Sequence, residues 1–254
     1  MRWISMVLPA LAFAAMLRLY PMVDGDAWGP LGQLLAGLLL SAVVLALVAW
    51  LRRRERLSWD IIGHHSAGRN LRAFAMGAGL WLLPAAIGTA VCVALGWSSI
   101  SFRAPPAQVL AALPLLALTV LLVEALPEEF AIRGWAQGLA ARRYPQWAAL
   151  LLQAALFVAM AWLAGAMHSA GQWMFLPGFA LILGYVRALS DSVWASIGVH
   201  FAWMATSQLI NGHAAVEGMA MLQFVAFALL PSATLGAVLG MMRPDFRWTE
   251  LRSP

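Results

Sequence analysis

Residues 107–127 read AQVLAALPLLALTVLLVEALP, an apolar run in which Glu124 is the only charged side chain. A helix of about 20 apolar residues spans the hydrocarbon core of a bilayer. Similar runs recur along the chain, which reads as apolar segments at about 3–23, 28–50, 73–97, 107–127, 147–167, 172–189, 193–211 and 219–242. Lipid offers backbone amides no hydrogen-bond partner, and a helix satisfies its own. The pattern predicts an all-α, polytopic integral membrane protein with about eight transmembrane helices.

Composition argues against a soluble enzyme or a nucleic-acid module. Of the 254 residues, 63% are hydrophobic and 11% are charged, and the mean hydropathy is +0.80. A soluble domain has about 25% charged residues. Eight spans with short connections leave no room for a second, soluble domain. We therefore expect a single transmembrane domain over residues 1–254. We expect it to contact membrane lipids and not to bind nucleic acid.

Arginines are distributed unevenly between the two sets of loops. The connections after the second, fourth and sixth segments and the C-terminal tail carry most of them, namely Arg52, Arg53, Arg54, Arg56, Arg69, Arg72, Arg142, Arg143, Arg187, Arg243, Arg247 and Arg252. The other connections carry Asp24, Asp26, Arg103 and Glu217. An excess of basic residues is typical of cytoplasmic loops. The sequence predicts a multi-pass protein with both termini in the cytoplasm.

Ionisable residues occur at the end of the fourth segment, where residues 124–133 read EALPEEFAIR. A charge inside a bilayer is costly and is a functional hypothesis by default. Helical spacing places Glu129 and Arg133 on one face, where they can pair. Glu124 and Glu128 are also four residues apart, and the adjacent Glu128 and Glu129 point about 100° apart, so one carboxylate can bond the arginine while the other faces a cavity and acts on water as a general base. The alternative is an ordinary ion pair at the membrane boundary.

One histidine falls inside an apolar segment. His200, in the seventh segment, is equally consistent with a catalytic role and with a hydrogen bond to a neighbouring helix. The others lie near loops, at His64, His65, His168 and His213, and none forms an H-E-x-x-H pair. The single Cys92 can form neither an intrachain disulfide nor a cysteine metal cluster. We expect no metal and no cofactor.

The polar block at residues 51–72 contains Trp59, Ile61 and Ile62. Apolar side chains within a basic stretch are typical of a helix that lies on an anionic membrane surface. We interpret the block as a short interfacial helix.

The pattern Glu128-Glu129-x-x-x-Arg133, at the predicted cytoplasmic end of the fourth helix, resembles the first motif of a known family. This is the CAAX prenyl protease type 2 and bacteriocin-processing family of intramembrane proteases (CPBP, or Abi). Its pattern is E-E-x-x-x-R, then F-x-x-x-H on a later helix, then H-x-x-x-N or a near variant. The resemblance covers roughly residues 107–211.

This resemblance implies a CAAX protease type 2-like bundle in the bacterial inner membrane that cleaves a hydrophobic or prenylated peptide near the membrane. Glu128 or Glu129 would be the base and Arg133 would hold one glutamate. His200 would be a water or oxyanion ligand. For substrate binding we select Phe157, from the second motif, and Glu124.

Two family positions are occupied by other residues. Ala161 occupies the position of the second-motif histidine, and Met204 occupies the position of the third-motif asparagine. His168 lies about 10 Å along a helix axis from Ala161, and we expect it to remain a solvated loop residue. Loss of one oxyanion donor typically costs about 2.7–4 kcal/mol. The alternative function is therefore a catalytically degenerate relative that binds a peptide or serves as an immunity or scaffold protein. A small transporter is a third interpretation, although no internal repeat supports it.

Overall fold

The computed structural model describes residues 3–20 and 29–251. Asp24, Asp26 and Arg252, which entered the charge argument, lie outside the described residues. Most of the described chain forms long helices, which we number α1 (Trp3–Leu19), α2 (Gly29–Arg54), α3 (Ala67–Ala94), α4 (Pro106–Ala141), α5 (Gln146–Ala164), α6 (Ala170–Ser190), α7 (Val193–His213) and α8 (Met219–Met242). The all-α class is confirmed.

Within the described residues, 6 helices are long and apolar enough to cross a membrane, namely α2, α3, α4, α5, α6 and α8. The described part of α1 is apolar but has 17 residues. Helix α7 has 21 residues, but its second half carries Ser207, Gln208 and Asn211 among the apolar side chains. The protein is a polytopic membrane protein, and the count of eight spans stays a prediction.

Helix α4 does not end near Leu126 as the sequence suggested. It continues as far as Ala141, and wider π-helical turns at Val120–Ala125 and Phe130–Ala136 flank the glutamate pair. Pro127 has no N–H to donate and crowds the carbonyl of the preceding turn. Widened turns absorb such a disturbance without ending the helix. The E-E-x-x-x-R motif therefore lies within a continuous helix and not at its end.

Glycines bring α3 and α7 into close contact. A methyl group on Gly77 would collide with the Ala195 carbonyl oxygen, and one on Gly198 would collide with the Phe74 carbonyl oxygen. Small residues of this kind allow helix backbones to approach closely inside a membrane. Because Gly198 lies two residues before His200, this contact fixes the height and rotation of the histidine relative to the bundle.

The prediction of an interfacial helix within residues 51–72 is wrong about what surrounds the helix. A short 3₁₀ helix does form at Trp59–Ile62. However, Ile61 and Ile62 are buried, and Gly134 and Gly138 of α4 give them room to pack there. These side chains contact protein and not lipid, because the long extension of α4 supplies a groove that the sequence did not predict.

The two ends of the bundle differ in composition. The arginine-rich end collects the loops after α2, α4 and α6 together with the tail, where Trp147 N–H donates to the Trp248 carbonyl oxygen at 3.1 Å. The opposite end carries a small antiparallel sheet of β1 (Ser99–Phe102) and β2 (Ala214–Glu217). The sequence did not predict these short strands.

Candidate active site

Four ionisable side chains meet where α4 packs against α7. Arg133 Nη1 donates to Glu129 Oε1 at 2.9 Å and lies 3.3 Å from Glu128 Oε1. His200 Nδ1 lies 3.1 Å from Glu129 Oε1 and 3.6 Å from Glu128 Oε1. All four residues are buried, Glu128 being 8% exposed and Glu129 and Arg133 fully enclosed. The structure thus brings together every residue that the sequence proposed as catalytic.

The two adjacent glutamates have different surroundings. Glu128 lines a cavity together with His200. Glu129 does not line that cavity, and its carboxylate instead contacts both Arg133 and His200. The sequence left open which glutamate faces the cavity, and the structure selects Glu128.

Glu129 orients the imidazole of His200. An ionised carboxylate only accepts hydrogen bonds, so the contact of 3.1 Å places a proton on Nδ1. The Nε2 atom is then left for a partner in the cavity, which is how a buried carboxylate commonly fixes a functional histidine. Phe179 supports the ring from the side in an edge-on contact, with ring centroids 5.5 Å apart.

Phe157 contacts Arg133, the cationic member of the buried cluster. The guanidinium carbon of Arg133 lies 4.6 Å from the centroid of the Phe157 ring, a cation–π arrangement. The ring also lines the cavity. Phe157 was selected as a substrate-binding residue, and its contact with Arg133 gives it a structural role as well.

The cavity has a volume of about 700 Å³. Its floor consists of Glu128, Phe157, Phe179 and His200, and most of its wall is apolar or aromatic. A site of this size, apolar with a few convergent polar groups, is typical of small-molecule and peptide-segment binding.

The cavity extends towards the end of the bundle that carries the sheet. On α7 and α5 the contributing residues occupy the half nearer that end, from His200 to Asn211 and from Phe157 to Ala164, whereas α4 contributes near its middle, from Val123 to Glu128. The loop that follows α5 also contributes, at Ala166 and Ser169. The cavity is therefore remote from the arginine-rich end.

The two substituted family positions also lie on this cavity. Ala161 and Met204 both line it, so the apolar side chains stand where the family pattern has histidine and asparagine. Helix α5 ends at Ala164, where Gly165 adopts a left-handed conformation with φ 80°. His168 follows in the exposed loop, where its backbone N–H donates to Gln172 Oε1 at 2.6 Å. It does not replace the missing imidazole, as expected.

A second polar contact lies nearer the sheet end of the cavity. Gln208 Nε2 donates to Glu124 Oε1 at 2.7 Å, which joins α7 to α4. Ser207, Asn211 and Gln223 also line the cavity. The sequence singled out Glu124 but missed Gln208. Gln208 lies eight residues from His200, an offset of about 80° around an ideal helix, so helical spacing gave no clear signal for it.

One group of side chains could in principle hold a metal ion. The ligand atoms of Glu128, Glu129 and His200 all lie within 4.8 Å of one another. However, Arg133 Nη1 contacts both carboxylates, and its charge opposes a second cation between them. His64 and His65 do not form a site, since His64 Nδ1 accepts from Trp194 and His65 Nε2 contacts the Asp191 carbonyl.

Comparison with known families matches the segment that contains this site. Residues 110–206 match the model of the type II CAAX prenyl endopeptidase Rce1-like family. The matched segment is less than half of the chain, yet it contains Glu128, Glu129, Arg133 and His200. Neither a curated protein nor a solved structure matches the chain. Together, the family match and the apolar helices show a membrane protein whose residues 110–206 are similar to the type II CAAX prenyl endopeptidases.

Proposed function

We propose that the protein is an intramembrane endopeptidase that hydrolyses a peptide bond in a membrane-proximal, hydrophobic or prenylated peptide, with Glu128 as general base. The observation that carries this proposal is the position of Glu128 beside His200 on the floor of the cavity of about 700 Å³. A carboxylate and an imidazole can manage the proton transfers of hydrolysis without a metal.

The reaction follows from this geometry. The Glu128 carboxylate takes a proton from a water molecule, and the oxygen attacks the carbonyl carbon of the peptide. The C–N bond of the tetrahedral intermediate then breaks, and Glu128 returns its proton to the departing amine. His200 contributes through Nε2, which its contact with Glu129 leaves available to the water or to the developing oxyanion.

Glu129 and Arg133 act as positioning residues. Arg133 contacts both carboxylates, and its positive charge opposes the repulsion between the two adjacent glutamates. Glu129 holds both the arginine and the histidine. The mutual contacts of Glu129, Arg133 and His200 offset part of the cost of burying these charges.

The uneven distribution of arginines supports an orientation in the bacterial inner membrane with both termini in the cytoplasm. In that orientation the cavity extends towards the extracytoplasmic side, since it lies in the half of the bundle remote from the arginine-rich end. The peptide would then be presented from that side.

Hydrolysis has a chemical signature that tests the proposal. Purified protein in nanodiscs is incubated in H₂¹⁸O with a hydrophobic peptide and, separately, with its farnesylated form. The proposal predicts that the N-terminal fragment carries one ¹⁸O atom in its newly formed C-terminal carboxyl group. It also predicts that the Glu128→Ala variant forms no product. Cleavage that survives Glu128→Ala would falsify the assignment of the base.

A second candidate function is a binding protein without catalysis, and the apolar side chains of Ala161 and Met204 on the cavity favour it. The test is the double variant Ala161→His, Met204→Asn, which restores the family pattern. If the parent protein binds the peptide without cleaving it and the restored variant cleaves it, the parent is a binder. A parent that already cleaves at an undiminished rate contradicts this candidate.

A further inference from the structure

We infer that Glu124 and Gln208 form a specificity subsite for a basic group on the substrate, a lysine or arginine side chain close to the cleaved bond. This inference rests on the proposed function and names the substrate class that the cavity selects. It depends on the charges that face the cavity and on the contacts of Glu124.

The cavity has an excess of acidic groups. Two carboxyl groups line it, Glu124 and Glu128, together with the imidazole of His200. None of its described lining residues is an arginine. Arg133 lies behind the floor and pairs with Glu128 and Glu129.

Glu124 differs from the other two glutamates in its partners. Within residues 3–20 and 29–251, no arginine or histidine forms an ion pair with it. Its polar contact is with a neutral amide, Gln208, which donates to one carboxylate oxygen at 2.7 Å. A carboxylate has about four acceptor positions, so Glu124 can still accept hydrogen bonds from a cationic group.

The surroundings of Glu124 suit a cation with several N–H donors. Ser207, Asn211 and Gln223 line the same cavity, and each side chain has an acceptor oxygen. A lysine or arginine headgroup carries three or more donors and no acceptor. Its apolar stem would fit the walls formed by side chains such as Trp203 and Met204.

The position of the subsite relative to the base limits where the basic residue lies in the peptide. Glu124 is one helical turn from Glu128 on α4, and Gln208 is eight residues from His200 on α7, so the separation is about 6 to 12 Å along the helices. An extended peptide covers about 3.3 Å per residue. The basic side chain therefore belongs within about four residues of the cleaved bond.

Peptide affinity tests the subsite independently of cleavage. Two fluorescent hydrophobic peptides are compared, one with a lysine at a position scanned over four residues on each side of a fixed bond, and one with norleucine in its place. Their Kd values are measured by fluorescence anisotropy for the full chain in nanodiscs, for Glu124→Gln and for Glu217→Gln. Glu124→Gln keeps an oxygen for Gln208, and Glu217→Gln removes one charge from an exposed strand outside the cavity.

The inference predicts that the parent protein binds the best lysine peptide about tenfold more tightly than its norleucine counterpart, which corresponds to about 1.4 kcal/mol. Glu124→Gln should bring this ratio close to one, whereas Glu217→Gln should retain it. Equal affinity of the parent for both peptides at every position overturns the inference, and so does a lysine preference that persists in Glu124→Gln. Absence of cleavage in a protein that keeps the preference contradicts the proposed function and leaves the subsite intact.

Discussion

The carboxylate of Glu129 lies 3.1 Å from Nδ1 of His200, across the interface between α4 and α7. Both side chains are buried, and Arg133 contacts the same carboxylate oxygen at 2.9 Å. The fully enclosed glutamate thus connects the arginine to the histidine, while its neighbour Glu128 faces the cavity.

The first prediction concerns this connecting glutamate. Glu129→Gln weakens the contact that orients His200, and loss of such an orienting partner typically costs about 10- to 100-fold in activity. We expect the loss in kcat and not in KM, because Glu129 does not line the cavity. Peptide-cleavage kinetics in nanodiscs measure both. A variant in which KM alone changes contradicts the positioning role.

Arg133 provides a prediction about stability. Arg133→Met leaves two buried carboxylates without their cation, and removal of one partner from a buried pair costs about 3–5 kcal/mol. The matched control is Arg247→Met, which breaks an exposed pair with Glu250 at 3.6 Å whose contribution is at most about 1 kcal/mol. Thermal unfolding in detergent should show a clear decrease in Tm for the first variant. Equal Tm values for both variants would contradict the proposed charge balance.

Close packing of α3 on α7 gives a third prediction. Gly198→Ala places a methyl group against the Phe74 carbonyl oxygen and forces the helices apart, and such overpacking typically costs about 1–3 kcal/mol. The control is Gly212→Ala on the same helix, where an added methyl meets nothing within 4 Å. We expect lower Tm and lower cleavage activity for Gly198→Ala, because His200 moves with α7. If the two variants behave alike, this contact does not position the site.

Membrane orientation can be tested with single cysteines. Cys92 is fully buried, so the parent chain should not react with a membrane-impermeant maleimide. In intact bacterial cells we expect Ser101→Cys, on the strand β1, to react, and Arg142→Cys, at the arginine-rich end, to react only after lysis. Both positions are exposed. The reverse labelling pattern would place the cavity on the cytoplasmic side.

Much of the fold could be predicted from the sequence, because apolar run length constrains a chain in lipid more strongly than in water. The end of α4 could not. The apolar segment was placed at about 107–127, but widened turns carry the helix onward to Ala141. The predicted environment of Ile61 and Ile62 was also wrong, because these side chains pack against this unexpected part of α4.

The candidate site was predictable in its composition but not in its arrangement. Spacing alone paired Glu129 with Arg133, as the structure confirms. Spacing could show that Glu128 and Glu129 diverge, but not which of them faces a cavity, because the cavity is built from several other helices. Gln208 was missed because a glutamine has meaning there only once Glu124 is known to be its partner.

The central claim is that Glu128 activates the water that cleaves the peptide. The most direct measurement is kcat/KM for one hydrophobic peptide in nanodiscs, compared among the parent protein, Glu128→Gln and the exposed control Glu217→Gln. General-base catalysis contributes about 10²- to 10⁴-fold, so we predict a loss of at least about 100-fold for Glu128→Gln and no comparable loss for the control. Undiminished cleavage by Glu128→Gln would contradict the account.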